Sequence, residues 1–274
     1  MPTPPSTDPK ITGYYQIAFD ESARLSGPAD GVLEMVRTQE LLRSHLPAAP
    51  ATVLDVGGGP GAHARWLAED GYSVHVVDPV PRHVEQAAAI RGVTSERGDA
   101  RALSAADDSY DAALLLGPLY HLLERDDRLR ALREAARVVR PGCLIAAAAI
   151  GRYASVLEHT ATTLLATHEP VRDSVRKILQ EGRYVADKGF TDAAFHTADE
   201  LTEELREVGL EGIVVYGVEG PAWAAVKAAE LHSGGSVTGS ALFQAALTAA
   251  RLADPYPELL AAASHLLAVA HTPA

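Results

Sequence analysis

The sequence predicts an α/β protein: a doubly wound, mostly parallel sheet covered by helices on both faces. Three observations predict it. Short apolar runs alternate with helical stretches across residues 51–150, which is the pattern of a parallel sheet built from βαβ units. One such run enters the glycine-rich turn Gly57-Gly58-Gly59-Pro60-Gly61 and leaves it as a helix. An acidic residue, Asp78, closes the next apolar run.

The elements follow in order. Residues 1–10 hold four prolines and no apolar block, so they read as a loose arm and not as a signal peptide. A short helical piece is expected around 14–25, then an amphipathic helix over 31–46 with Val32, Met35, Val36, Leu41 and Leu42 for packing and Pro47 as its stop. Strands are predicted at 52–56, 74–77, 111–116 and 143–149, with a weaker one at 94–98. Helices at 62–70, 81–90 and 126–139 end near Gly71, Gly92 and Pro141. Residues 153–181 interrupt the alternation and read as an inserted helical cap. Thr197 and Glu200 form a capping pair for a helix over 197–208, which Gly209 ends. A strand at 212–218, a mostly helical stretch at 222–252 and a final strand at 265–271 complete the chain. The long connection before that last strand allows an antiparallel return. One domain is expected, in four parts: a helical arm and lid (1–50), a core (51–150), a cap insertion (151–196) and the completion of the sheet (197–274).

Composition excludes several classes. Hydrophobic residues make up 47% and charged residues 22% of 274, enough for a buried core without disulfides. The longest apolar stretch, 143–150, is far short of the ~20 residues a membrane-spanning helix needs. A lone cysteine, Cys143, rules out an internal disulfide and a multi-cysteine zinc site, and suits a reducing cytoplasm. A formal net charge of −12 disfavours a phosphate backbone as partner. Arg128, Arg130, Arg133, Arg137 and Arg140 recur at helical spacing and read as a solvated helix face. The histidines form no compact ligand motif, so no metal is expected.

Glycines let the 57–61 turn fold sharply and let a ligand approach where a Cβ would collide. A carboxylate at Asp78 can accept hydrogen bonds from both hydroxyls of a ribose. Strand, loop, helix and acid together point to an adenosine-containing cofactor. Gly57, Gly59 and Ala62 also satisfy a dinucleotide pattern, but Pro60 has no N–H to offer a pyrophosphate. That favours a cofactor without phosphate.

Asp55, Gly57, Gly59 and Gly61 match the DxGxGxG loop, and on them the chain resembles the class I S-adenosylmethionine-dependent methyltransferases. Arg97-Gly98-Asp99-Ala100-Arg101 is similar to that family's acidic turn after the third strand, and 111–117 to its fourth strand. Arg137-Val138-Val139-Arg140-Pro141-Gly142 is similar to the turn into the fifth strand, with Cys143 in place of a frequent second glycine. The resemblance implies a Rossmann-like sheet of about seven strands with the last antiparallel, plus N-terminal and inserted helical caps. It implies S-adenosyl-L-methionine as cofactor, with Asp78 and Pro79 at the ribose, Asp99 and Ala100 at the adenine, and Leu116 facing the methionine part. In the family the N-terminal segment folds over the cofactor. Tyr14 or Tyr15 would then offer an aromatic face to the sulfonium, Tyr15 beside the reacting methyl. Arg37 is read either as binding the methionyl carboxylate or as forming a surface salt bridge.

Acceptor contacts are expected in loops beyond the carboxyl ends of the strands. His121 is the candidate general base, with Tyr120 as wall or hydrogen-bond partner. Arg152, Tyr153, Phe195, His196, Glu219 and His265 are candidate pocket residues, and Phe190 and Phe195 alternatively staple the helix that follows. Methyl transfer to a small molecule is the leading expectation. Lyase or cyclase chemistry releasing methylthioadenosine, NAD-dependent oxidation and non-catalytic binding stand as alternatives. The acceptor atom and the oligomeric state are not legible.

Overall fold

The computed structural model describes Gly13, residues 23–185 and residues 192–274. Its strands are β1 (Thr52–Val56), β2 (Ser73–Asp78), β3 (Val93–Arg97), β4 (Tyr110–Leu115), β5 (Val139–Gly151), β6 (Arg183–Tyr184), β7 (Ala193–His196), β8 (Glu211–Gly217) and β9 (His265–His271). Its helices are α1 (Ala29–His45), α2 (Ala62–Glu69), α3 (Pro81–Ala88), α4 (Pro118–His121), α5 (Arg125–Val138), α6 (Ala154–Ala161), α7 (Leu164–Thr167), α8 (Glu169–Glu181), α9 (Ala198–Glu207), α10 (Trp223–Ser233) and α11 (Ala241–Ala253).

Strands β3, β2, β1, β4 and β5 lie side by side and parallel. The antiparallel β9 adds to β5, with Ala146 opposite Val269, and β8 runs antiparallel to β9. That is the expected seven-strand sheet with an antiparallel last strand. Two short strands extend it among the described residues: β7 pairs parallel with Ile150 and Gly151 at the end of β5, and β6 forms a hairpin with β7. Elements of two and four residues are too short to carry a period-2 signal, which is why the sequence did not reveal them.

Side-chain alternation along the sheet builds two cores. Val53, Val74, Val76, Leu114 and Ala146 face Leu41, Leu42, Trp66 and Leu67 of α1 and α2. Leu54, Val77, Leu115 and Ile145 face Leu132 and Ala135 of α5 and Leu201 and Leu205 of α9. Both faces of the parallel strands are therefore dry, as a doubly wound sheet requires. A third core, around Ala29, Leu33, Trp223, Val226, Phe243 and Leu247, joins α1 to α10 and α11.

The expected cap is broken into α6, α7 and α8, with Thr163 in the left-handed region at φ 61° between the first two. The capping box of α9 is present in both halves: Glu200 N–H donates to Thr197 and Thr197 N–H donates to Glu200. Arg128 departs from the expected solvated face. It is buried, donates to both oxygens of Glu204 on α9, and donates to the carbonyls of Leu122 and Leu123. It thus pins the loop that follows α4, whereas Arg130 and Arg133 are exposed as expected. Among the described residues, no helix is long and apolar enough to cross a membrane.

Candidate active site

The turn from β1 to α2 puts Gly57, Gly59 and Gly61 at φ 68°, 57° and 87°, a region that L side chains rarely adopt. Two of these glycines also answer close approaches. A Cβ on Gly57 would lie 2.9 Å from Cδ of Pro118, so the loops after β1 and β4 press together. A Cβ on Gly61 would lie 2.5 Å from Cδ1 of Ile90, so this glycine seats α2 against the end of the α3 segment.

Asp78 ends β2, and its carboxylate holds the loop. Oδ2 accepts the Gly59 N–H at 2.9 Å, while Oδ1 accepts the Val80 N–H at 2.9 Å and lies 3.1 Å from Nδ1 of His83. Asp55 sits below the loop, fully buried, with neither carboxylate oxygen hydrogen-bonded. Burial, and secondarily the charge of Asp78, push its carboxyl up to about 7. After β3, Asp99 accepts from the Arg101 backbone N–H and guanidinium at 2.7–2.9 Å, and Arg101 also reaches Asp127 at 2.8 Å.

These groups enclose a cavity of about 350 Å³ beyond the carboxyl ends of β1, β2, β3 and β4. Pro79, Ala100, Leu116, Tyr120 and His121 line it, as expected, together with Arg24, His63 and His83. Tyr120 and His121 pack ring to ring at 4.7 Å. Burial lowers His121 to about 4, against a hydrogen bond to the Asp192 backbone and the charge of Asp78. His63 is likewise lowered to about 4 by burial.

A second cavity, of about 700 Å³, adjoins the first and shares Arg24 and Tyr120 with it. Its lining is mixed: Ile150, Val171, Val175, Ile178, Phe195 and Trp223 are apolar or largely so, and Asp30, Glu34, Glu158, Lys227 and His265 carry charge or titrate. Lys227 lies 2.8 Å from Asp30 and 3.1 Å from Glu158, and Arg24 lies 2.7 Å from Glu34. The Glu219 carboxylate, at the end of β8, is buried and takes Nδ1 of His265 at 2.5 Å and the His265 N–H at 2.9 Å.

Several expected site residues lie elsewhere. Arg37 is buried and ties α1 to Asp254 at 2.6 Å, Glu40 at 2.8 Å and the Val218 carbonyl at 3.3 Å, so it lines neither cavity. Gly61 serves helix packing and does not line the cofactor cavity. Arg152 is held by Glu200 and the Phe195 carbonyl, Tyr153 is 41% exposed, and His196 is buried 3.5 Å from Glu204; none of the three lines either cavity. Tyr14, Tyr15 and Phe190 lie outside the described residues. Sequence reasoning missed Arg24, Glu34, His63 and Lys227. Glu34 lies on a helix whose apolar residues were the legible feature, and Arg24 and Lys227 meet their partners only in the fold.

The cavity suits a cationic adenosyl ligand. The two orphaned oxygens of Asp55 ask for donors at the cavity floor, and an amino-acid ammonium supplies them. A pyrophosphate would meet the carboxylates of Asp55 and Asp78 and the N–H-less Pro60. Residues 53–142 match the model of the methyltransferase domain family. An uncharacterized methyltransferase of Mycobacterium tuberculosis is 39% identical over 98 residues, which are 35% of this chain and 39% of that protein. The chain thus spans about two-fifths of the length of that relative. A solved S-adenosylmethionine-dependent methyltransferase from Mesorhizobium loti superposes with TM-score 0.55 at 19% identity, covering 90% of this chain and 99% of that one. The [4+2]-cyclase SpnF superposes with TM-score 0.55 at 21% identity, covering 86% and 81%. Residues 53–142 thus match a methyltransferase domain, and the sheet has the fold of solved S-adenosylmethionine-dependent methyltransferases.

Proposed function

We propose that the protein transfers a methyl group to an O, N or C acceptor of a small metabolite held in the second cavity. The observation that carries this reading is the shared wall: Arg24 and Tyr120 line both cavities, so a ligand in the larger one reaches the mouth of the cofactor site. Bound S-adenosylmethionine supplies a methyl on a sulfonium, already reactive toward a nucleophile. What remains for the chain is to hold, orient and shield.

In this reading Asp78 receives the ribose hydroxyls, Asp99 and Ala100 border the adenine, and Leu116 borders the methionine part. Asp55 answers the ammonium. Arg37, tied to Asp254, has no place beside the methionyl carboxylate. Tyr14 or Tyr15 keeps the proposed role toward the sulfonium. His121, neutral and a weak base at about 4, closes the cofactor side next to Tyr120. Residues 1–50 serve as lid and 151–196 as cap, and the single cysteine supports a reducing, cytoplasmic setting.

Calorimetry with S-adenosylmethionine and NAD tests the cofactor: binding of the first at micromolar level and none of the second is expected, and the reverse would end the proposal. The likeness to a cyclase keeps one second reading, non-methylating chemistry on the same fold. Product analysis separates them, since S-adenosylhomocysteine marks methyl transfer and methylthioadenosine marks attack on the aminobutyryl chain.

A further inference from the structure

The second cavity contains a titratable centre that the cofactor site does not use. His265 starts β9 and lines the cavity, and its Nδ1 lies 2.5 Å from Glu219 and 3.7 Å from Glu34. Its Nε2 makes no hydrogen bond among the described residues. Among the described residues, the charged groups set against the imidazole are Glu34 from α1, Glu219 just beyond β8, and Arg24, which pairs with Glu34 at 2.7 and 3.1 Å. Arg24 also lines the cofactor cavity, so the centre lies one residue from the junction of the two sites.

Three donors this close also fit the description of a metal site, with Glu34, Glu219 and His265 offering one atom each. The geometry argues for a proton instead. Two donors at 2.0–2.1 Å from a tetrahedral ion stand roughly 3.4 Å apart, whereas Nδ1 and Glu219 Oε1 are 2.5 Å apart. Arg24 already occupies both oxygens of Glu34 and would repel a divalent ion. The two carboxylates already face the Arg24 guanidinium and Nδ1 of His265.

We propose that His265, oriented by Glu219 and Glu34, is the proton acceptor of the second cavity, and that the acceptor substrate is an uncharged, partly apolar molecule bearing a weakly acidic O–H. The proposal rests on the methyltransferase reading. The acceptor oxygen's electron pair forms the bond to the methyl carbon, the carbon–sulfur pair stays on sulfur as the neutral thioether, and the O–H proton passes to Nε2 of the neutral imidazole, the form that grows as pH rises toward about 9. The imidazolium so formed faces two carboxylates, which stabilise it. The substrate's lack of charge follows from the cavity itself: the ammonium of Lys227 and the guanidinium of Arg24 are each already paired with carboxylates, and much of the remaining lining is apolar.

Burial opposes charging His265, but Glu34 and then Glu219 outweigh it and raise the imidazole to about 9. Carbon-13 histidine NMR of the full chain saturated with S-adenosylhomocysteine reads this directly, with His265→Gln identifying the resonance. The expected result is titration near 9, falling by more than one pH unit in Glu219→Gln and in Glu34→Gln; the second variant serves if the first fails to fold. Titration at or below free imidazole would overturn the proposal. Zinc binding that His265→Gln abolishes would also overturn it. Calorimetry with S-adenosylmethionine keeps the two ideas apart: His265→Gln should retain cofactor affinity, while absence of cofactor binding in the wild type would fail the methyltransferase reading without altering the NMR result.

Discussion

The carboxylate of Asp78 accepts the backbone N–H of Gly59 at 2.9 Å. Through that bond, the end of the second strand fixes the shape of the loop after the first. The residue expected to hold a ribose therefore also holds the loop against which the cofactor lies.

Asp78→Ala should accordingly lose more than a ribose contact. A buried hydrogen bond to a charged group contributes ~1.5–3 kcal/mol, so S-adenosylmethionine affinity should fall at least tenfold by calorimetry. Asp78→Asn retains an acceptor for one partner and should fall less. Equal losses would mean that only the charge matters.

Cofactor binding should strengthen as pH rises through about 7, the value to which burial raises Asp55. Below it the carboxyl is protonated and answers an ammonium poorly, so affinity should drop up to about tenfold per pH unit. Asp55→Asn should flatten the profile. The unliganded fold shows the opposite sign. A carboxyl raised from 3.8 contributes stability that is full below that value and is lost as pH rises through about 7. Melting of the free protein across this window checks the second half.

Arg37→Met should lower stability by about 2–3 kcal/mol, because it strips a buried cation from the Val218 carbonyl and from Asp254, a partner that water partly screens. Denaturant melts measure the loss. The cofactor dissociation constant of the folded fraction should stay within about twofold; a large rise would return Arg37 to the cofactor.

Gly61→Ala should act on packing. Its added Cβ meets the flexible tip of Ile90 and a φ of 87°, for which about 1 kcal/mol is expected. Thermal melting should register it while saturating cofactor still binds. Gly57→Ala meets the ring of Pro118 and should weaken both stability and binding.

The sheet was legible because its strands are apolar runs bounded by breakers, and the cofactor loop because glycine at Gly57 and Gly59 has few substitutes. Asp55, Asp78 and Asp99 were legible as acids at strand ends. Arg37 misled because a cation beside the core looks the same in sequence whether it faces a ligand or a buried carboxylate, and Asp254 is 217 residues away. Glu34 and Arg24 stayed hidden for the same reason, since their worth depends on His265 and Glu219, which arrive from the far end of the chain. His265 was found by topology, since an antiparallel last strand begins where its neighbours end; Glu219, expected in the pocket, is buried, lines neither cavity and instead holds His265.

Arg24 and Tyr120 belong to two cavities at once, so neither compartment can be filled without setting part of the other's surface. Occupancy of one is then a thermodynamic variable of the other, with the same coupling factor in both directions. A demethylated cofactor lingering in the smaller site would tune the affinity for fresh acceptor by as much as the acceptor tunes the release of the spent cofactor.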